Sequence, residues 1–300
     1  MTDTLAGLRH KLTSAHKLGS VVRAMKAVAA TSIVQYEAAV TALADYARCV
    51  ELGLSLCLQE EPATLAPAAS PAVIRNRPVG VLIFGSDQGL VGRFNEIIVN
   101  FALQALQPLR GPKTVWIVGE RVAPHLEAAG VAVRRRYALP GSVAAITSLV
   151  SEIQLEMEAY TADAPTAEVH IFHNRPISAA GYEPLTQRLL PLDDSWRRRL
   201  ARIPWPRGRS AEMLGGAPLS FPALVHEHLF ICLYKACAES LASENASRLE
   251  AMQRAERNID DISAGLHRSL NRLRQSTIDA ELFDVVAGFN ALGGGSRSRT

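Results

Sequence analysis

His226, Glu227 and His228 form the densest group of candidate ligands in the chain, and their spacing argues against a metal site. Residues i and i+2 of a helix do not share a face, so two imidazoles placed this way cannot close on one ion. His170 and His173, read as part of a strand, point to opposite faces. The 4 cysteines are Cys49, Cys57, Cys232 and Cys237. They lie inside helical patterns at spacings that fit neither a zinc knuckle nor a CxxC redox site, and read as small buried apolar residues of a reducing compartment. Neither a Ser/His/Asp set nor a Walker A sequence occurs. Residues 85–92 are glycine-rich, but as G-x-x-x-G-x-x-G rather than the dinucleotide fingerprint, and Asp87 would repel a phosphate. A tight turn at a sheet edge is the simpler expectation. No catalytic group, cofactor or metal is expected.

Residues 196–209 carry Arg197, Arg198, Arg199, Arg202, Arg207 and Arg209 beside two tryptophans. Such a loop could grip RNA or acidic lipid, or could be solvated or face acidic partner proteins. The formal net charge of +3 does not imply a polyanion partner, and no nucleic acid is expected. The 48% hydrophobic content excludes global disorder. The first residues show no secretory signal or transit peptide, and no run approaches the roughly 20 apolar residues of a membrane span, so direct insertion is not expected.

The elements that position these residues follow from periodicity. From Leu5 apolar residues recur by threes and fours through Leu8, Leu12, Ala15, Leu18, Val22, Met25 and Ala29, then Tyr36, Val40, Leu43, Ala47, Val50, Leu54 and Cys57. That spacing predicts one helix over residues 1–60 with a sustained coiled-coil seam. A proline-rich linker, 61–78, separates it from a central α/β domain, 79–192. There the apolar run 79–84, a helix to about Leu106, strands at 114–118, 131–135, 168–173 and 185–190, and helices at 121–128 and 142–162 alternate as in a small Rossmann-like sheet. An irregular, arginine-rich loop, 193–219, leads to a C-terminal helix over 220–292, with Ser220 as N-cap and Pro222 in its first turn. Its seam is Met252, Ala255, Ile259, Ile262, Leu266, Leu270 and Leu273, then Ile278, Leu282, Val285, Phe289 and Leu292. Residues 293–300 form a flexible tail.

A helix this long persists only against a partner. An antiparallel pairing of the terminal helices puts Leu5 opposite Thr277 or Ile278. Everything from Ile278 to Leu292 then overhangs by about 20 Å at 1.5 Å per residue. Such an apolar helix, without charge from Val285 to Gly293, reads as a binding surface for another protein.

Three separated segments, in order, resemble the gamma subunits of F-type rotary ATP synthases. Arg23-Ala-Met-Lys-Ala-Val-Ala-Ala30 is similar to the family's Lys-Ala-Met-x-Met-Val-Ala-Ala, and Ser86-Asp-Gln-Gly-Leu-Val-Gly92 with Asn95 to its Ser-Asp-Arg-Gly-Leu-Cys-Gly stretch. The third is the C-terminal helix, from Leu233 through Met252 to Arg274-Gln-Ser-Thr-Ile-Asp-Ala-Glu281 and Gly288. The chain departs from the family at Lys17-Leu-Gly-Ser-Val-Val22, Gln88, Val91, Asp279 and Phe289, as a divergent bacterial member would.

The resemblance implies a rotor shaft without an active site, surrounded by alpha and beta subunits. The epsilon subunit and the membrane rotor ring would lie at its foot, on the cytoplasmic face of the bacterial inner membrane, in a complex coupling ion transport to ATP synthesis. It further implies contacts to the alpha/beta ring from Arg23, Met25, Lys26, Asp87, Gln88, Arg274, Gln275, Asp279, Glu281, Val285 and Phe289. A solvated helix face is the alternative for the charged members of this set. A non-rotary coiled-coil scaffold and an enzyme built on the α/β domain are the rival functions.

Overall fold

The computed structural model describes residues 4–60, 76–178, 181–192, 194–205 and 216–293. The elements run α1 (Leu5–Glu60), β1 (Val79–Phe84), α2 (Phe94–Leu106), β2 (Lys113–Val118), α3 (Ala123–Ala128), β3 (Val133–Tyr137), α4 (Val143–Asp163), β4 (Glu168–Ser178), β5 (Gly181–Leu190), α5 (Asp194–Ala201) and α6 (Ala217–Gly293). Two compact units emerge. One comprises residues 1–27 and 251–300, the other residues 28–250.

In the larger unit the sheet order is β3-β2-β1-β4-β5, parallel except for β5, which returns antiparallel to β4. β1 is buried along its whole length, as a central strand covered on both faces must be. Val81 and Ile83 pack with Ile98, Val99 and Ala102 of α2 and Leu126 of α3. Leu82 and Phe84 face the other way, against Ile146, Val150 and Ile153 of α4 and Leu233, Cys237 and Leu241 of α6. The antiparallel return and the longer β4 depart from the expected strands at 168–173 and 185–190. Ser142 caps α4 by accepting from the Ala145 amide at 3.4 Å.

The buried positions of α1 keep a seven-residue repeat, apart from Ser55 and Leu58 in its last turns. Leu8, Ala15, Ala29, Tyr36, Val50 and Cys57 are buried members of one series, with Val22 and Leu43 half-buried between them. Leu12, Gly19, Lys26, Ile33, Val40, Ala47 and Leu54 form the other. A 3.5-residue average of this kind drives a left-handed supercoil. Leu18 lies outside both series and is exposed, so the seam passes through Gly19 instead. α1 also contains an 18-residue stretch of mean hydropathy 1.3, long and apolar enough by composition to cross a membrane, contrary to the expectation above. Its heptad spacing gives part of that apolar content a seam to fill.

In the smaller unit the first turns of α1 run antiparallel to α6. Lys26 Nζ lies 2.5 Å from Glu256 Oε2, and the rings of His16 and His267 are 6.3 Å apart. A Cβ on Gly19 would sit 3.6 Å from Ile259 Cγ2. Met252, Ile259, Leu266 and Leu273 repeat every seven residues, with Ser263 and Leu270 completing the seam; Ile262 falls beside it and is exposed.

Two further expectations change. The segment 193–219 is not wholly irregular, because α5 forms within it and buries Leu200 against Leu54, Leu58 and Ile231. α6 starts at Ala217, so Ser220 is not its cap and Pro222 lies inside the helix. A proline there forgoes one i→i−4 hydrogen bond but is tolerated close to a helix start. Cys57 and Cys237 are buried, whereas Cys49 is exposed. The linker prolines between residues 61 and 75, Arg207, Arg209 and the tail from residue 294 lie outside the described residues, and nothing describes the Leu292 side chain.

Candidate partner-contact surfaces

The C-terminal part of α6 carries the main candidate surface. Every residue from Arg274 to Asn290 is exposed, whereas Leu266, Leu270 and Leu273 just before them are half-buried. The change falls within one turn of the point where the antiparallel register exhausts α1, because Lys26 opposite Glu256 carries Leu5 to about Thr277. Ile278, Leu282, Phe283, Val285, Val286 and Phe289 are 48–77% exposed. Large apolar residues on a helix that no other described residue covers make a patch that calls for a partner. Arg274, Gln275, Asp279 and Glu281 interleave with them, offering a guanidinium fork, an amide and two carboxylates.

Arg23, Met25 and Lys26 lie in the same unit. Lys26 sits in the seam, with its ammonium on Glu256, and that hydrogen bond holds the Glu256 carboxyl below its ordinary pKa. Arg23 is exposed and Met25 half-buried. Leu18, Val21 and Ile262 add exposed apolar side chains there, and Val28 and Val34 do so in the larger unit. These were not singled out from the sequence, where Leu18 and Ile262 pass for seam residues. Their place one step outside the heptad series is the signal that finds them.

Asp87 and Gln88 belong to the larger unit, on the loop after the central strand β1 rather than at a sheet edge. Asp87 is turned inward: Oδ1 accepts from the Glu120 amide at 2.9 Å and Oδ2 from the Leu139 amide at 2.8 Å. Its carboxylate thus ties together the loops that follow β1, β2 and β3. Gln88 and Leu90 are exposed, and Leu90 adopts φ 63°, a left-handed conformation that costs a branched residue on the order of 1 kcal/mol or more. Gly119, φ 95°, lets the β2 loop lie against Ser86, since a Cβ there would stand 2.8 Å from the Ser86 amide.

Doubly wound sheets bind ligands in the crevice at the carboxyl ends of their strands, where the strand order reverses. Here that reversal falls between β1 and β4, and side chains of α6 fill it. Ser247 Oγ donates to the Val91 carbonyl at 2.5 Å and Ser243 Oγ to the Asn174 carbonyl at 3.0 Å. Asn95 Nδ2 donates to Ser86 Oγ at 2.8 Å, and its Oδ1 accepts from the Ser86 amide at 2.9 Å. Beside them Arg248 Nη2 donates to Glu244 Oε1 at 2.6 Å. Both members of this pair are largely buried. Burial raises the Glu244 pKa, and Arg248 opposes the shift. Side chains of α6 thus fill the crevice.

The histidines are dispersed. His226 meets Glu158, Glu227 accepts from Tyr46 Oη, and His228 accepts from Trp196 Nε1 at 3.3 Å. Burial, with help from Arg199, lowers the His228 pKa to about 4, so it is neutral at physiological pH. His170 lies on Glu168 and His173 on Glu239. Among the described residues no three His, Cys, Asp or Glu side chains gather in one place.

A long antiparallel helical coil, an α/β domain whose ligand crevice is filled from within, and an exposed apolar helix define a protein that works by contact with other chains. The family model described as ATP synthase matches residues 4–292, and the chain belongs to that family. The ATP synthase gamma chain of Syntrophus aciditrophicus is 29% identical, covering 97% of this chain and 99% of the relative. That of Frankia casuarinae is 27% identical, covering 99% and 100%. The rotor of the Euglena gracilis mitochondrial ATP synthase has the same fold, with TM-score 0.63 at 17% identity over 91% of this chain and 98% of the other.

Proposed function

We propose that the chain is the central rotor shaft of an F-type ATP synthase, coupling ion flow through a membrane sector to conformational change in a ring of alpha and beta subunits. The apolar overhang of α6 carries this reading, since a ring closed around a single helix would bury it on all sides. The shaft performs no chemistry itself. An orientation of an asymmetric shaft touches one catalytic subunit differently from the next, and a differential contact shifts that subunit between conformations. Arg23 and the interleaved Arg274, Gln275, Asp279 and Glu281 supply the polar contacts, while Val285 and Phe289 supply apolar ones. Lys26 acts through Glu256 by fixing the pairing that sets the length of the overhang, and Asp87 by shaping the loop that presents Gln88. The epsilon subunit and the membrane rotor ring bind at the foot, which places the chain peripherally on the cytoplasmic face of a bacterial inner membrane.

The test is a chain ending at Gln275. Since the deleted helix is exposed, the isolated variant should melt within 1–2 °C of the parent, an effect of about 0.5 kcal/mol or less. Its complex with alpha and beta subunits should lose assembly yield or ATP-driven torque. Unchanged assembly and torque would refute the role given to the overhang.

A further inference from the structure

We infer that His16 and His267 form an interhelical site for a first-row transition-metal dication such as Zn2+. Each histidine directly follows a seam residue, His16 after Ala15 and His267 after Leu266, and so occupies the e position of its helix. In an antiparallel coil e positions face one another across one flank. The two rings accordingly lie 6.3 Å apart between centroids, with their planes at 66°. Both side chains are exposed, leaving the ring nitrogens within reach of solvent.

Zn–N bonds of about 2.0–2.1 Å place two imidazole centroids on one tetrahedral ion about 5 Å apart. A small swing of two surface side chains covers the difference. Imidazole nitrogens select Zn2+, Ni2+ or Cu2+ over Mg2+ and Ca2+, which require oxygen ligands. Water completes the coordination, since among the described residues no third His, Cys, Asp or Glu joins the pair. Arg9, Lys17, Arg23, Arg268 and Arg274 lie within about two turns and Asp260 is the nearest acidic residue along the e flank, so the local charge weakens binding relative to a carboxylate-rich site.

The pair also stands where the seam is thinnest. Ala15, Gly19 and Ser263 contribute little apolar area to the layers beside it. An ion bridging His16 to His267 would link the helices where packing does so least, and would stabilise the coil by mass action.

Isothermal titration of the full-length chain with ZnCl2, after removal of adventitious metal, tests the site. The expected result is a one-to-one event that His16→Ala and His267→Ala each weaken at least tenfold and that His10→Ala leaves intact. In hundredfold excess over its Kd, Zn2+ should raise the helical melting midpoint by on the order of 5 °C. Magnesium should do neither. Circular dichroism of each variant separates a lost ligand from a lost fold. Zinc binding that persists in both alanine variants, or is absent from the parent chain, overturns the assignment. The readout is independent of the rotor function.

Discussion

Arg248→Leu leaves the Glu244 carboxylate buried without the guanidinium that donates to it at 2.6 Å. Burial already raises the Glu244 pKa, and Arg248 is the main influence lowering it. Removing one partner of a buried pair costs about 3–5 kcal/mol when the other stays charged. Protonation offers the carboxyl a way out. Without the guanidinium nothing opposes the effect of burial, so the Glu244 pKa moves further up. A folded-state pKa above the unfolded value of 4.5 means that stability is retained below 4.5 and lost as pH rises through the folded value. The Arg248→Leu penalty should therefore be small at pH 4.5 and approach its full size by pH 8.

Urea unfolding followed by tryptophan fluorescence at the two pH values measures it, because all 3 tryptophans, Trp116, Trp196 and Trp205, lie in the larger unit. The double variant Glu244→Gln/Arg248→Leu should recover most of the loss at pH 8 and remove its pH dependence. A penalty below 1 kcal/mol at pH 8, or one equal at both pH values, would refute the claim that this pair is a buried charge couple inside the filled crevice.

Two further outcomes follow from the contacts around the candidate surfaces. Asp87→Ala strips the acceptor from the Glu120 and Leu139 amides and should cost about 2–4 kcal/mol in the same urea assay, with Asp87→Asn recovering part of it. Lys26→Glu should lower the melting midpoint by placing two carboxylates together in the seam, and adding Glu256→Lys should restore it; failure of the reversed pair to rescue would show that the ion pair does not fix the register.

Much of the coil was legible because a seven-residue repeat survives noise at single positions. Reading apolar residues alone nevertheless placed Leu18 and Ile262 in the seam. The spacing required Gly19 and Ser263, whose side chains are too small or polar to announce a core position. The central sheet was legible from its alternating runs, but the long β4–β5 return was not, since β5 mixes Pro184, Gln187 and Arg188 with its apolar residues. At the sites, the exposure of the α6 overhang follows from counting residues along two paired helices. The inward turn of Asp87 does not, because its partners are backbone amides 33 and 52 residues away. Nor do the roles of Ser243 and Ser247, which donate to loop carbonyls that only the folded chain brings near. A serine on a helix looks the same in sequence whether it meets water or fills a crevice.

Rotation itself is the most direct test. Leu155 is exposed on α4, so Leu155→Cys, in a chain whose exposed Cys49 is replaced by serine, can carry a fluorescent bead or rod. With the complex of this chain and its alpha and beta subunits immobilised through the ring, added ATP should drive the probe around in one direction in discrete steps. A probe that stays fixed relative to the ring while the same complex hydrolyses ATP would contradict the shaft.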